Sequence, residues 1–298
     1  MKRVSYLLLK AFLQLISWLP LRLLRSAGKA LGTLLWVSNG QTRRVSEENI
    51  RACFPQMDQI QQASLVKRSM QHLGMTVMEM GFVWRRSPQR VLASITRVQG
   101  QEHLTAALSA EKGVIVLAPH LGNWEFIGPY LGQYYQATLM YQPPKNRALG
   151  QIIFESREAS GANLVPTNIS GVKAQLRALK QGKVVGVLPD QVPPRASGTF
   201  APFFGIPALT PTMTFNLLNR TGAKAVMAYA RRDEGTGNFT LVIEPAPSGI
   251  YSCDVQVSLS AMNAGIERCV MAAAEQYQWE YKRFRRQQTS EKKFYQDS

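Results

Sequence analysis

Val114-Ile115-Val116-Leu117 runs directly into Ala118-Pro119-His120-Leu121-Gly122-Asn123-Trp124-Glu125-Phe126, and the order of these residues points to the fold. The unbroken β-branched and aliphatic run behind Gly113 reads as a buried strand over Val114 to Ala118, which leaves Pro119 and His120 at its carboxyl end. In open α/β sheets ligands bind at that edge. Four residues stand between His120 and Glu125, and one continuous helix would turn their side chains about 140° apart. They meet only if the chain bends between them. Gly122 permits the bend, and Asn123 suits the cap of a helix through Trp124, Phe126 and Ile127. The expected unit is a strand, a tight turn and a helix start that aim an imidazole and a carboxylate into one crevice.

The chemistry expected of that pair is proton transfer. A carboxylate that accepts the Nδ1 proton of His120, with Glu125 as the expected partner, fixes the tautomer and leaves Nε2 as a general base toward a hydroxyl. No Ser or Cys lies within the motif, which favours a hydroxyl carried by the substrate. Read without any relative, His120 is equally a hydrogen-bonded loop residue.

With 298 residues, 45% of them hydrophobic, the chain is long enough for one large domain with a sizeable core. A formal net charge of +16 implies an anionic partner, a membrane surface or a nucleic acid. Cys53, Cys253 and Cys269 form no close-spaced pair, which argues against a disulfide framework or a zinc site and fits a reducing compartment.

From Val4 to Leu24 the chain is rich in Leu and aromatic residues but interrupted by Lys10, Gln14, Pro20 and Arg22, with basic residues on both flanks. It has the length of a spanning helix and too much charge for a bilayer centre, so a shallow membrane-associated helix is expected. This divides the chain into a hydrophobic helical region, residues 1–42, and a domain over residues 43–298. Apolar spacings of three and four from Met57 to Arg86 predict one or two amphipathic helices. After Gly100, strands are expected at Val114 to Ala118, Ala137 to Tyr141, Asn163 to Pro166, Val184 to Leu188, Ala225 to Ala230 and Phe239 to Ile243. Helices are expected near Trp124 to Tyr134, Arg147 to Ser160, Gly171 to Gln181 and Thr212 to Thr221. The alternation predicts an α/β fold with a mostly parallel central sheet flanked by helices. Aromatic and basic residues interleaved over Tyr277 to Phe284 suit a membrane interface, and the polar tail beyond Arg286 is expected to be mobile.

A His, four residues and an acid between a buried strand and a helix resemble the signature of the glycerolipid acyltransferase superfamily. The surrounding APHLGNWE is similar to its bacterial branch, the late acyltransferases of lipid A biosynthesis. The resemblance continues through RRVSEENIRACFP at Arg43 to Pro55, Arg157, the LPDQ around Asp190, the FFGIPA block at Phe203 to Ala208 and the terminal Tyr277 to Phe284. It implies His120 and Glu125 as catalytic residues, with Arg157, Asp190, Gly122 and Asn123 holding substrate or negative charge. The Phe203 block is expected as a loop on the floor of the site. It also implies transfer of a fatty acyl chain from acyl carrier protein to a hydroxyl of a lipid A precursor, at the cytoplasmic face of a bacterial inner membrane, with no cofactor, metal or nucleic acid. Another bacterial lipid as acceptor and a non-catalytic lipid-binding protein are the alternatives.

Overall fold

The computed structural model describes residues 2–288 and 294–295. The chain opens with α1 (Lys2–Ser17) and α2 (Leu21–Val37), where the sequence predicts one segment. The break falls at Trp18-Leu19-Pro20 because a proline has no N–H to continue the helical ladder, and the two helices meet at 114°. Among the described residues no single helix is long and apolar enough to cross a membrane, and only this bent pair reaches the length. Next come α3 (Gln41–Cys53), α4 (Gln59–Arg85) and α5 (Pro88–Leu92). Asp58 starts α4 through a capping box in which it and Gln61 bond each other's backbone N–H. Gly28 and Gly32 of α2 face Gly74 of α4 so closely that a Cβ on Gly28 or Gly32 would come within 2.5 or 2.1 Å of α4 backbone.

Beyond α5 the chain alternates. Its elements are β1 (Ile95–Gln99), α6 (Gln101–Ser109), β2 (Val114–Leu117), α7 (Ile127–Tyr135), β3 (Thr138–Tyr141), α8 (Arg147–Ala159), β4 (Asn163–Pro166), α9 (Ile169–Lys180) and β5 (Val184–Val187). A hairpin of β6 (Gly198–Phe203) and β7 (Ile206–Pro211) is followed by α10 (Met213–Thr221), β8 (Lys224–Arg232), β9 (Phe239–Pro245) and α11 (Val255–Ala272). Seven strands form one sheet in the order β1-β9-β8-β2-β5-β3-β4, parallel from β8 to β4, with β9 antiparallel to β8. The expected mostly parallel α/β sheet is therefore the observed one, and all six expected strands lie in it.

β2 is buried on both faces, which is why it reads as a continuous apolar run. Ile115 and Leu117 point into one core with Val185, Val187, Leu217, Met262 and Ile266. Val114 and Val116 point into the other with Leu104, Phe126 and Leu131.

Three expectations are corrected. The Phe203 to Ala208 block is a hairpin turn instead of a loop: Phe204 and Gly205 take φ of 50° and 75°, the left-handed pair that joins antiparallel strands tightly. The terminal aromatic and basic block is interior, with Tyr277, Trp279, Arg283 and Phe284 all buried. Its guanidinium at Arg283 donates through Nη1 to Leu209 O and through Nη2 to Thr210 Oγ1 and lies over the Phe203 ring, so these groups hold it inside. Lastly, Tyr295 of the expected mobile tail is docked: its hydroxyl accepts from Phe284 N and donates to Asn49 Oδ1. Residues 289–293 and 296–298 of that tail lie outside the described residues.

Candidate active site

β2 and β5 are neighbours in register, Leu117 opposite Val187. Three residues beyond each partner stand His120 and Asp190, after a proline in both cases, Pro119 and Pro189. Parallel strands in register deliver residues at equal distances past their ends to the same place, so VIVLAPH and VVGVLPD bring an imidazole against a carboxylate. Asp190 grips His120 twice. Its Oδ2 accepts from the backbone N–H of His120 at 2.8 Å, and its Oδ1 lies 2.7 Å from Nδ1. Asp190 is buried, which pushes its carboxyl up, but the charge of His120 and the bonds from its ring and backbone outweigh burial and hold it below the usual range. The Tyr277 hydroxyl beside it is held well above the usual tyrosine range, first by burial and then by the Asp190 charge.

In the neutral tautomer that donates Nδ1–H to Asp190, Nε2 of His120 carries the lone pair. It sits 3.2 Å from Gln191 Nε2, which also donates to Gln278 Oε1 at 3.2 Å. Gln278 in turn donates its backbone N–H to His120 O. Trp124 packs against the imidazole with ring centroids 5.0 Å apart. Glu280 completes this wall; burial pushes its carboxyl up to about 7, against the opposing bond to Gln278 and the charge of His120.

The expected partnership of His120 with Glu125 is thus corrected. Glu125 is buried, and its carboxylate accepts from Trp84 Nε1 at 3.1 Å and from Arg157 Nη2 at 2.9 and 3.2 Å. The four named polar residues form two pairs, His120–Asp190 and Glu125–Arg157. The Arg157 guanidinium also lies over the Tyr141 ring, and its side chain remains 25% exposed.

Gly122 and Asn123 serve the turn instead of a substrate. Gly122 donates its N–H to Gln276 O and has φ of 65°; a Cβ there would fall 2.0 Å from Ala230 O. Asn123 donates its N–H to Ala230 O, accepts Glu125 N–H as a cap and donates Nδ2 to Glu79. These backbone donors are spent, so the expectation that they hold negative charge on a substrate does not stand.

Glu79, fully buried on α4, is a residue that the sequence reading missed. It binds Arg25 Nε at 2.8 Å, Arg232 Nη2 at 2.8 Å and Asn123 Nδ2 at 2.9 Å, tying α2, β8 and the His120 loop together. A glutamate among Met78, Met80 and Phe82 was the available signal, because a buried charge needs paired partners. For Asp190 the signal was the shared strand-proline pattern described above.

The model of the family described as bacterial lipid A biosynthesis acyltransferase matches residues 2–286. A lipid A biosynthesis lauroyltransferase of Escherichia coli (strain K12) is 27% identical over 274 residues, covering 92% of this chain and 89% of that protein. A lipid A biosynthesis palmitoleoyltransferase of the same organism is 27% identical over 278 residues, covering 93% and 90%. A phosphatidylinositol mannoside acyltransferase of Mycobacterium tuberculosis (strain CDC 1551 / Oshkosh) is 30% identical over 132 residues, 42% of this chain and 41% of that protein. With a match spanning nearly the whole length, and with an imidazole and a carboxylate paired at the edge of the sheet, this chain belongs to the bacterial lipid A biosynthesis acyltransferase family.

Proposed function

We propose that the protein transfers a fatty acyl chain from the thioester of acyl carrier protein to a hydroxyl of a lipid A precursor, forming an acyloxyacyl ester. The observation that carries this reading is the double grip of Asp190 on His120, which leaves Nε2 as the base. In the proposed step Nε2 takes the proton of the acceptor hydroxyl while its oxygen attacks the thioester carbonyl. The tetrahedral intermediate then collapses, the C–S bond breaks, and the imidazolium returns its proton to the departing thiol. Asp190 stabilises the imidazolium between these steps. Gln191 lies on Nε2 and must turn aside or hold the incoming hydroxyl. Arg157, part-exposed on the buried Glu125, is the cation placed to meet acceptor phosphate or developing negative charge. The basic surface suits an acidic carrier protein.

The partial match to the mannoside acyltransferase favours a second reading, with another bacterial lipid, built on a phosphoglycerol backbone, as acceptor. Purified protein given acyl carrier protein or coenzyme A thioesters, with a lipid A precursor or a lysophospholipid, separates these. Ester formation should be at least tenfold faster with the carrier-protein thioester and the lipid A precursor. Equal or faster acylation of the lysophospholipid overturns the acceptor assignment.

The site of action proposed is the cytoplasmic face of the bacterial inner membrane. Leu8, Phe12 and Leu15 lie along one exposed face of α1, and Trp18, Leu19 and Leu23 continue it across the bend. Tyr6 and Lys10 on the same helix bind Glu155 of α8, and Leu24 of α2 is fully buried. Both helices are pinned to the domain, so this reading lays them on the bilayer instead of through it. Each large side chain inserted contributes roughly 1.5–3 kcal/mol. The triple variant Leu8→Glu, Phe12→Glu, Leu15→Glu should therefore move most of the protein from the pellet to the supernatant in sedimentation with phosphatidylethanolamine–phosphatidylglycerol vesicles. Unchanged sedimentation would place the anchor elsewhere.

A further inference from the structure

We propose that the hollow enclosed by α2, α4 and the β8–β9 turn binds a phosphate-type oxyanion carried on a lipid headgroup. It is a cavity of about 640 Å³ whose wall includes Arg22, Lys29, Arg68, His72 and Arg232. Two buried nitrogens in these residues lack any partner: Arg232 Nη1 and His72 Nδ1. Arg232 is only 3% exposed and already binds Glu79 and Thr76 through Nε and Nη2, so its remaining N–H groups are donors without acceptors. A guanidinium nitrogen with no acceptor beside a charged hollow is a donor that an anionic oxygen would satisfy once the side chain turns toward the hollow.

The electrostatics agree. The His72 ring is held down at about 3, first by burial and then by Arg232, Arg25, Arg68 and Lys29. Four cations therefore surround one neutral imidazole. The carboxylates nearby offset them only in part. Glu79 is shared between Arg25 and Arg232, Asp233 accepts from Thr240 Oγ1, and Glu234 is solvent-exposed. Arg22, Lys29 and Arg68 are exposed cations at the mouth. Donors spread around a hollow suit a tetrahedral dianion better than a planar carboxylate. A lipid is the favoured carrier because Arg22 belongs to the bent helix pair laid on the bilayer above and stands in sequence between Leu19 and Leu23, 44% and 56% exposed.

The source of the anion rests on the membrane reading above, but the binding needs no acyl transfer, so its failure is separable from failure of the proposed activity. The test uses the full chain in neutral detergent. The probes are phosphatidic acid in the micelle, phosphatidylcholine as its neutral control, and inorganic phosphate. Readouts are affinity by titration calorimetry and the His72 imidazole NMR signals, assignable among three histidines. Phosphatidic acid should shift the His72 signals and bind at least tenfold tighter than phosphatidylcholine. The exposed double variant Lys29→Gln, Arg68→Gln should lose at least tenfold of that affinity while its circular dichroism and Tm stay unchanged. Inorganic phosphate should move the same signals only at millimolar concentration. Silent His72 signals with both phosphate probes, or undiminished affinity in the double variant, overturn the site. Inorganic phosphate binding as tightly as phosphatidic acid overturns the lipid source.

Discussion

His120→Ala is expected to lower turnover in the purified acyl-transfer assay by about 10²–10⁴-fold, the range spanned by a positioned general base. The sharper expectation concerns its partner. Asp190→Asn keeps the shape but replaces one carboxylate oxygen by an amide that can donate to Nδ1, which favours the tautomer with its proton on Nε2, where the lone pair is needed. Asp190→Asn should therefore fall in the same range. The double variant should be little worse than either single one, because the two groups act as a unit. Kinetics of the three proteins, with Tm checked by circular dichroism, decide the matter. Additive losses would separate Asp190 from the base, and near-normal turnover by His120→Ala would remove the base altogether.

The largest expected effect on stability comes from α4. Glu79→Ala leaves the buried guanidinium groups of Arg25 and Arg232 facing each other without their shared counter-charge. Breaking a buried pair in this way costs about 3–5 kcal/mol. Here the outcome should lie at the upper end, since the same carboxylate also accepts from Asn123. Equilibrium urea unfolding measures it, and a loss under about 1 kcal/mol would mean that the network is not holding the three elements together.

Much of the fold was legible because its signals are local. The fully buried strands β2 and β5 announce themselves as the apolar runs VIVL and VVGV, and α4 by its three-and-four spacings. Other parts were not. β1 reads ITRVQ, an edge strand with half-polar content, and β6–β7 contain Pro202, Pro207 and Pro211, residues that speak against strands unless these form a two-stranded ribbon with free edges. Trp279 and Phe284 look interfacial in sequence, yet they fill the core against Phe54 and Phe203. Only tertiary packing decides that.

The His120 partner shows the same divide. Glu125 is five positions away along the chain and Asp190 seventy, so sequence distance favoured the wrong carboxylate. Sheet register reverses the ranking. The bend at Gly122 does bring the helix start back over the edge, but it aims Glu125 at Trp84 and Arg157 on the α4 and α8 side.

Gly28, Gly32 and Gly74 bring the backbones of α2 and α4 into direct contact, and Glu79, five residues further along α4, holds the asparagine that shapes the histidine loop. A seam without cushioning cannot slide by small amounts. Whatever height the bent amino-terminal pair takes relative to its surroundings is therefore passed, undamped, to the imidazole. If the pair rests on a bilayer as proposed above, the glycines act as a depth gauge: they set how far into a lipid layer an acceptor alcohol can lie and still be reached.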